Sequence, residues 1–138
     1  MKKTDLAYFA GLFDGEGSIC ITRHKPKRGI SEQHTLLCLL SMTNREAVSA
    51  FRDCFGGGMT VHERSNGKRK LMWGWVMSSN KARIFLESIL PFLRIKKAEA
   101  VIAIEFQTRK KQYNGKPVPI AEIEFRQNYR EKLWAMKR

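Results

Sequence analysis

The sequence predicts an α+β fold, in which a curved four-stranded antiparallel sheet carries helices on one face and leaves the other face open. Three observations lead to this prediction. Apolar residues recur at helical spacing near the N-terminus, and they then alternate with polar residues along two stretches. The same order, one helix and two strands, follows once more before a run of helices. The two hairpin-like strand pairs give an αββαββα core with extra C-terminal helices.

The first helix is predicted over residues 5–14, with Thr4 as its N-cap. The chain then alternates along two strands, the second over residues 34–42, which are separated by a polar loop over 25–33. On the helix-bearing side we expect Ile19, Ile21, Leu36, Cys38, Leu40 and Met42. On the open side we expect Ser18, Cys20, Thr22, His24, Thr35, Leu37, Leu39 and Ser41.

The second helix opens at a capping-box match, Thr43-Asn44-Arg45-Glu46, and ends at Gly56-Gly57-Gly58. Strands over 59–64 and 69–77 follow, joined by a turn about Asn66-Gly67.

Ser79 is expected to cap a third helix, and Pro91 kinks the chain near its end. A fourth helix is predicted over roughly 96–109 and a last one over 119–136, with a basic loop between them.

The composition indicates one domain over residues 1–138, of which 110–138 form an extension that no motif explains. No stretch has the ~18 consecutive apolar residues of a membrane helix, and the N-terminus does not resemble a signal peptide. Three scattered cysteines lack metal-ligand spacing and are typical of reduced thiols. We therefore expect an intracellular protein of the cytoplasm, nucleoid or an organelle, neither secreted nor bound to a membrane.

The chain is strongly basic, with 26 Lys and Arg residues against 13 acidic ones and a net charge of +13. Such an excess favours binding to a polyanion. A merely soluble basic surface and a ribosome-associated protein are alternatives that charge alone does not separate.

The stretch Phe9–Gly17, F-A-G-L-F-D-G-E-G, is the most informative motif. Small residues four apart line one side of the first helix, so two such helices would approach until their backbones nearly touch. The predicted interface residues are Ala7, Ala10, Gly11, Asp14 and Gly15. The carboxylate of Glu16 would lie just past this contact. The structural alternative is a helix C-cap and tight turn with solvated acidic residues.

This stretch resembles the LAGLIDADG motif of homing endonucleases. A second segment, Leu90–Lys97, is similar to the Pro-Phe-Leu-basic-apolar-Lys segment that ends the third helix in small family members. With both segments in compatible spacing, the resemblance covers most of the first 110 residues.

The resemblance implies an active site with Glu16 and the carbonyl of Gly15 as metal ligands, Lys96 as a basic residue that positions or polarises water, and Asn44 as a residue that orders water. The implied metal is Mg²⁺, and Mn²⁺ or Ca²⁺ could replace it for binding. The alternative for Lys96 is a solvated lysine without a catalytic role. The alternative for Asn44 is a residue that only forms part of the first turn of the second helix. For Asp14 we favour hydrogen bonds to backbone donors at the turn.

One family position departs from the pattern. An Arg one turn into the second helix is replaced by Val48, which puts the solvent network in doubt unless Arg45 substitutes for it.

The open sheet face and the basic loops are expected to contact DNA. The predicted contacts are Cys20, Thr22, His24, Lys25, Lys27, Arg28, Thr35, Leu37, Leu39, Ser41, Arg45, Arg64, Lys68, Arg69, Lys70, Trp73 and Trp75. The two tryptophans belong to the core instead if the strand register differs.

The sequence thus predicts a single-motif endonuclease that acts as a homodimer on a long, near-palindromic site in double-stranded DNA, encoded by an intron or another mobile element. By resemblance, cleavage leaves short 3′ overhangs. The alternative is a catalytically silent nucleic-acid binder on the same scaffold, such as an intron splicing maturase.

Overall fold

The computed structural model describes residues 1–25, 31–63 and 70–137. Its helices and strands follow the predicted order, helix, two strands, helix, two strands, helices. They are α1 (Lys3–Glu16), β1 (Gly17–His24), β2 (Gln33–Met42), α2 (Arg45–Phe55), β3 (Gly58–Glu63), β4 (Leu71–Ser78), α3 (Ser79–Ile89), a 3₁₀ turn (Leu90–Phe92), α4 (Lys97–Arg109) and α5 (Ile120–Ala135).

The four strands form one antiparallel sheet with the order β1-β2-β4-β3. In the first two strands the register places Cys20 opposite Leu37, which in turn lies opposite Ser78 of β4. The predicted α+β fold is therefore confirmed. The predicted turn about Asn66-Gly67 lies outside the described residues.

The helix-bearing side of the sheet packs on an aromatic cluster. Phe9 of α1 contacts Phe51 of α2 at a ring distance of 4.9 Å, and Trp75 of β4 contacts Phe85 of α3 at 5.0 Å. Phe55 joins the cluster at 4.8 Å from Phe85. Edge-on aromatic pairs contribute about 0.5–1.5 kcal/mol each beyond the area they bury. This cluster fixes the three helices, and with them the end of α1, against the sheet.

The C-terminal extension covers the open edge of β1. In α5, Arg130 donates from Nε to the Ile21 carbonyl at 3.1 Å, and Gln127 bonds the buried ring of His34 at 3.1 Å. An unpaired strand edge is prone to intermolecular pairing, so this cover protects the sheet. The extension thus has a structural role that the sequence motifs did not reveal. No helix in the described ranges is long and apolar enough to span a membrane.

Two helix ends differ from the prediction. Helix α1 extends two residues further at each end than the predicted 5–14. At its start the Lys2 carbonyl accepts from the amides of Asp5 and Leu6, so Thr4 lies inside the helix and is not its N-cap. Helix α3 stops at Ile89, and Pro91 lies in the 3₁₀ turn that follows.

Candidate active site and sheet surface

Glu16 lies at the junction of α1 and β1. Its side chain is exposed and has no hydrogen bond or ion pair with the described residues. The chain passes from helix to strand in one step, because Gly17 adopts an extended conformation with the ring of Phe13 against it. A Cβ on Gly17 would collide with that ring. The packing of Phe13 against Gly17 therefore fixes the backbone at the end of α1, from which the exposed side chain of Glu16 extends.

Asp14 joins the two sequence motifs. Its buried carboxylate accepts hydrogen bonds from the backbone amides of Arg94 at 2.8 Å and Lys96 at 3.0 Å. The ammonium group of Lys96 donates in turn to the Asp14 carbonyl at 2.7 Å. These bonds bring Lys96 to the last turn of α1, where Glu16 also lies. Asp14 thus binds backbone donors, but these donors lie in the segment after α3 and not at the predicted turn. Its place in an interface stays a prediction, to which a carboxylate bonded within its own chain adds no support.

We predict that Asp14→Asn lowers the free energy of unfolding by about 1–3 kcal/mol, since the amide retains one acceptor oxygen where two amides require acceptors. Urea titration measures the change. Asp53→Asn is the matched control, because Asp53 is exposed and pairs only with the adjacent Arg52 among the described residues; we expect a change within about 0.5 kcal/mol there. Equal losses in the two variants would contradict the role given to Asp14.

One side of α1 is open, as the small-residue spacing predicts. Gly11 and Gly15 are exposed, and a Cβ added to either would meet nothing within 4 Å. Ala7 is exposed on the same line. Ala10, by contrast, has no exposed surface and packs in the core, so its prediction as an interface residue is wrong. The open side of α1 therefore includes Ala7, Gly11 and Gly15, beside the exposed Thr4 and Tyr8.

The outward face of β1 and β2 follows the predicted alternation. Ile19, Leu36 and Cys38 are buried under the helices, whereas their sequence neighbours on the other side of the pleat, among them Thr22 and Leu37, retain exposed surface. Contact between this face and DNA stays a prediction. Its composition is mixed, since Leu37 and Leu39 lie beside the polar Ser18 and Thr35.

The prediction that Trp73 and Trp75 lie on the outward face is wrong. Trp75 is 1% exposed and donates from its indole to the Gly56 carbonyl at 2.7 Å. Trp73 lies on the same side of the pleat and packs against the core. Arg45 stacks over the Trp73 ring, with its guanidinium 5.1 Å from the ring centre. This stacking holds Arg45 on the helix-bearing side, away from the outward face to which its predicted DNA contact would belong.

The outward side of β4 carries Met72, Gly74, Val76 and Ser78, none of which the sequence analysis selected.

The predicted loop contacts are only partly described. Lys25 is exposed and lies 3.5 Å from Glu32, and Lys70 is exposed just before β4. The side chain of Asn44 caps α2 by accepting from the amide of Ala47 at 3.0 Å. The first-turn position is therefore observed, and the second lone pair of Oδ1 and the amide nitrogen remain to order water. Five further predicted contacts lie outside the described residues: Lys27, Arg28, Arg64, Lys68 and Arg69.

Basic residues of α5 reach the outward face, which the sequence analysis missed. Arg130, Trp134 and Lys137 form a groove with Cys20 and Thr22 of β1. Burial raises the pKa of the Cys20 thiol, while the nearby charges of Lys137 and Arg130 oppose that rise. The sequence signal that could have found this groove is an aromatic residue, Trp134, among several cations at the end of the last predicted helix. In the structure Trp134 is 60% exposed.

Comparison of the sequence with protein-family models gave no match, and comparison with curated proteins gave none. Comparison with solved structures gave many. The homing endonuclease I-CvuI, in complex with the I-CreI target and Mg, has a TM-score of 0.78 at 19% identity, over 97% of this chain and 82% of that one. The archaeal intron-encoded homing endonuclease I-Vdi141I, complexed with DNA, has a TM-score of 0.78 at 17% identity, over 99% and 86%. The chain has the LAGLIDADG homing endonuclease fold.

A third neighbour, the homing endonuclease I-TnaI, matches this LAGLIDADG fold with a TM-score of 0.64 at 15% identity, over 95% of this chain and 94% of that one. The resemblance first seen in the Phe9–Gly17 stretch is thus confirmed for the fold. Within the LAGLIDADG fold, the position where the family pattern has an Arg holds Val48, which is fully buried in the core. That position therefore contributes nothing to a solvent network in this chain.

Proposed function

We propose that the chain is a metal-dependent endonuclease that acts as a homodimer on a specific site in double-stranded DNA. One observation carries the proposal: an exposed carboxylate without a partner among the described residues, that of Glu16, ends a helix whose glycine-lined side is open. The fold supports it, since I-CvuI and I-Vdi141I are homing endonucleases described in complex with DNA. The same reasoning supports a mobile-element origin, since I-Vdi141I is intron-encoded.

In this proposal the residues at the end of α1 would hold a divalent cation shared between two chains. No group of three or more His, Cys, Asp or Glu residues able to hold a metal occurs within residues 1–25, 31–63 and 70–137. The donors at the site are the Glu16 carboxylate and the Gly15 carbonyl, both hard oxygen ligands of the kind Mg²⁺ prefers. Mn²⁺ and Ca²⁺ take similar ligands. When bound, such a cation neutralises phosphate charge and lowers the pKa of a bound water.

Lys96 supplies a positive charge in a defined place. Its backbone amide is held by the Asp14 carboxylate, and its ammonium group donates one of three hydrogens to the Asp14 carbonyl. Two N–H groups remain, which we assign to a water molecule or to an oxygen of the scissile phosphate. In this proposal Lys96 orients the attacking water and screens the phosphate charge.

The outward face of the sheet is the proposed DNA-contacting surface. Side chains of β1 and β2, among them Thr22, His24 and Ser41, would meet base edges, because a two-stranded antiparallel ribbon fits the major groove. Leu37 and Leu39 would meet thymine methyl groups. The net charge of +13 and the exposed Lys25 and Lys70 would supply phosphate contacts.

The proposal predicts that specific binding survives removal of the metal and that cutting does not. The target site is first selected from a randomised duplex library and from the intronless sequence that flanks the gene. Binding to this site is then measured in EDTA, and cutting is measured in Mg²⁺. Affinity should fall steeply with salt, with a log–log slope of about −0.9 per phosphate contacted. A flat salt response would count against this surface, and specific binding without any cut in Mg²⁺ would leave the splicing-maturase alternative.

Replacing the active-site lysine tests its assigned role. Lys96→Met should slow single-turnover cutting by about 10²-fold or more, because an acid–base or electrostatic group is lost, while DNA affinity with Ca²⁺ stays near that of the wild type. Lys97→Met is the matched control, since Lys97 is the exposed neighbour without a bond to Asp14 among the described residues. Equal rates for the two variants would overturn the assignment of Lys96.

A further inference from the structure

A cavity lies at the end of the sheet remote from Glu16. It has a volume of about 290 Å³ and is formed by the loop between α4 and α5, by α5 itself and by the start of β2. Gln33, at its wall, pairs with His24 at the far end of β1, whereas Glu16 adjoins the near end. The length of β1 therefore separates the cavity from the active site by roughly 23 Å. The proposed cutting reaction does not use this cavity.

Arg126 of α5 lines the cavity and is only 2% exposed. Its Nη2 donates to the Lys111 carbonyl at 2.8 Å, and its Nε lies 3.7 Å from the Glu122 carboxylate, beyond hydrogen-bond distance. Neither Nη1 nor Nε has a hydrogen-bond partner among the described residues. Buried guanidinium donors are almost always paired in native proteins, so this free side of the Arg126 fork points to a missing acceptor.

Other cations lie at the same cavity. Lys110 is half-buried and donates from Nζ to the His34 carbonyl at 2.7 Å, and burial together with the charge of Arg126 lowers its pKa. Lys116 is exposed at the cavity wall. The Ser31 hydroxyl accepts from the Val118 amide at 2.8 Å, which leaves its own hydrogen to donate. Three cations thus lie at one cavity whose lining residues include no carboxylate; the charge of one of them, Arg126, is partly offset by the Glu122 carboxylate 3.7 Å from its Nε.

We propose that this cavity binds a phosphate group through Arg126, Lys110 and Lys116, and that in the DNA complex the group is a backbone phosphate of the outer part of each half-site. The second part rests on the proposed function. A tetrahedral anion offers several acceptors to a guanidinium fork and to ammonium groups, which is how arginine binds phosphate. DNA is the source because Gln33 belongs both to the cavity wall and to the outward face of the sheet.

The first arm replaces single phosphates of the selected duplex by neutral methylphosphonates, one position at a time. Wild-type protein should lose about tenfold in affinity at one outer phosphate of each half-site, the loss typical of a charge-assisted hydrogen bond. Lys116→Gln should bind the unmodified duplex about tenfold more weakly than the wild type does. Replacing the sensitive outer phosphate by a methylphosphonate should then lower the affinity of this variant only a little further. Lys110→Met, checked for folding, should behave alike. Lys132→Gln, an exposed lysine of α5 outside the cavity, is the control and should keep the wild-type pattern.

The second arm titrates inorganic phosphate without DNA, against chloride at equal ionic strength, and follows the side-chain ¹⁵N signals of Arg126. A saturable shift that Lys116→Gln weakens supports the cavity as a phosphate site. If there were neither a saturable shift nor a sensitive outer phosphate, the phosphate site would be overturned, and water would be the acceptor for Arg126. Free-phosphate binding without a sensitive outer position would overturn the DNA assignment. Absence of specific DNA binding would end the proposed function, and the free-phosphate titration would still decide the cavity.

Discussion

Glu16→Gln is expected to abolish DNA cutting while leaving DNA affinity within about tenfold of the wild type, that is within ~1.4 kcal/mol. The amide keeps the shape of the side chain but removes the negative charge that would hold a divalent cation. Because the Glu16 carboxylate is exposed and has no partner among the described residues, its loss leaves no buried group unsatisfied. The variant should therefore fold and dimerise like the wild type. Its affinity can even rise, since one negative charge near the DNA phosphates is gone.

The measurement is single-turnover cutting of the selected site in Mg²⁺, beside a gel-shift titration in EDTA. Glu124→Gln is the matched control, since Glu124 is exposed on α5 and forms no hydrogen bond or ion pair with the described residues; we expect wild-type cutting from it. If folded, dimeric Glu16→Gln cut at the wild-type rate, the proposed active site would be wrong. The order of severity is a further check, because Lys96→Met should retain slow cutting that Glu16→Gln lacks.

The sequence predicted the outward face of β1 and β2 because polarity alternates there. Thr22, Thr35 and Ser41 occupy one side, and Ile19 and Leu36 occupy the other. A shift of the strand by one residue would bury these polar side chains under the helices, so the alternation of polarity determines which side of the sheet each residue faces.

The same reasoning failed in β4. Both sides of this strand are apolar, so alternation does not show which side faces the core. The apolar residues are Met72, Trp73, Trp75, Val76 and Met77. The structure resolves the ambiguity through size, because the large Trp75 ring fills the space between Phe51 and Phe85 under the helices. Packing against distant residues is not visible in a local pattern.

The buried polar groups were also beyond the sequence. Glu122 and Arg126 form a pair at i and i+4, a spacing typical of exposed helix faces, yet both are buried. The Asp14 bonds to Arg94 and Lys96 join segments about eighty residues apart, and only the family resemblance brought those segments together in advance. Long-range contacts of this kind depend on how the helices stack, which periodicity does not determine.

Gly11→Leu is expected to leave the fold intact and to abolish both dimerisation and cutting. In the single chain a Cβ at Gly11 meets nothing within 4 Å, so the larger side chain has open space there. Leucine is also a better helix former than glycine, which should stabilise α1 by about 0.5–1 kcal/mol. Any loss of cutting must then come from a collision between the leucine and a partner chain. Ile95, between the two residues whose amides bind Asp14, is 74% exposed, and an apolar side chain in that place is typical of an interface.

Sedimentation equilibrium at low micromolar concentration, with cutting and the free energy of unfolding measured on the same samples, separates the possibilities. Ala121→Leu is the control, since it places the same side chain at an exposed helical position on α5, away from the open side of α1; it should remain dimeric and active. A wild-type protein that cuts as a stable monomer would end the dimer hypothesis. So would a Gly11→Leu variant that remains dimeric and active, because two backbones that nearly touch at Gly11 leave no room for a leucine between them. A monomeric Gly11→Leu protein of undiminished stability would place the partner's α1 against this line of glycines, where each of two symmetric chains contributes one Glu16 to the shared site.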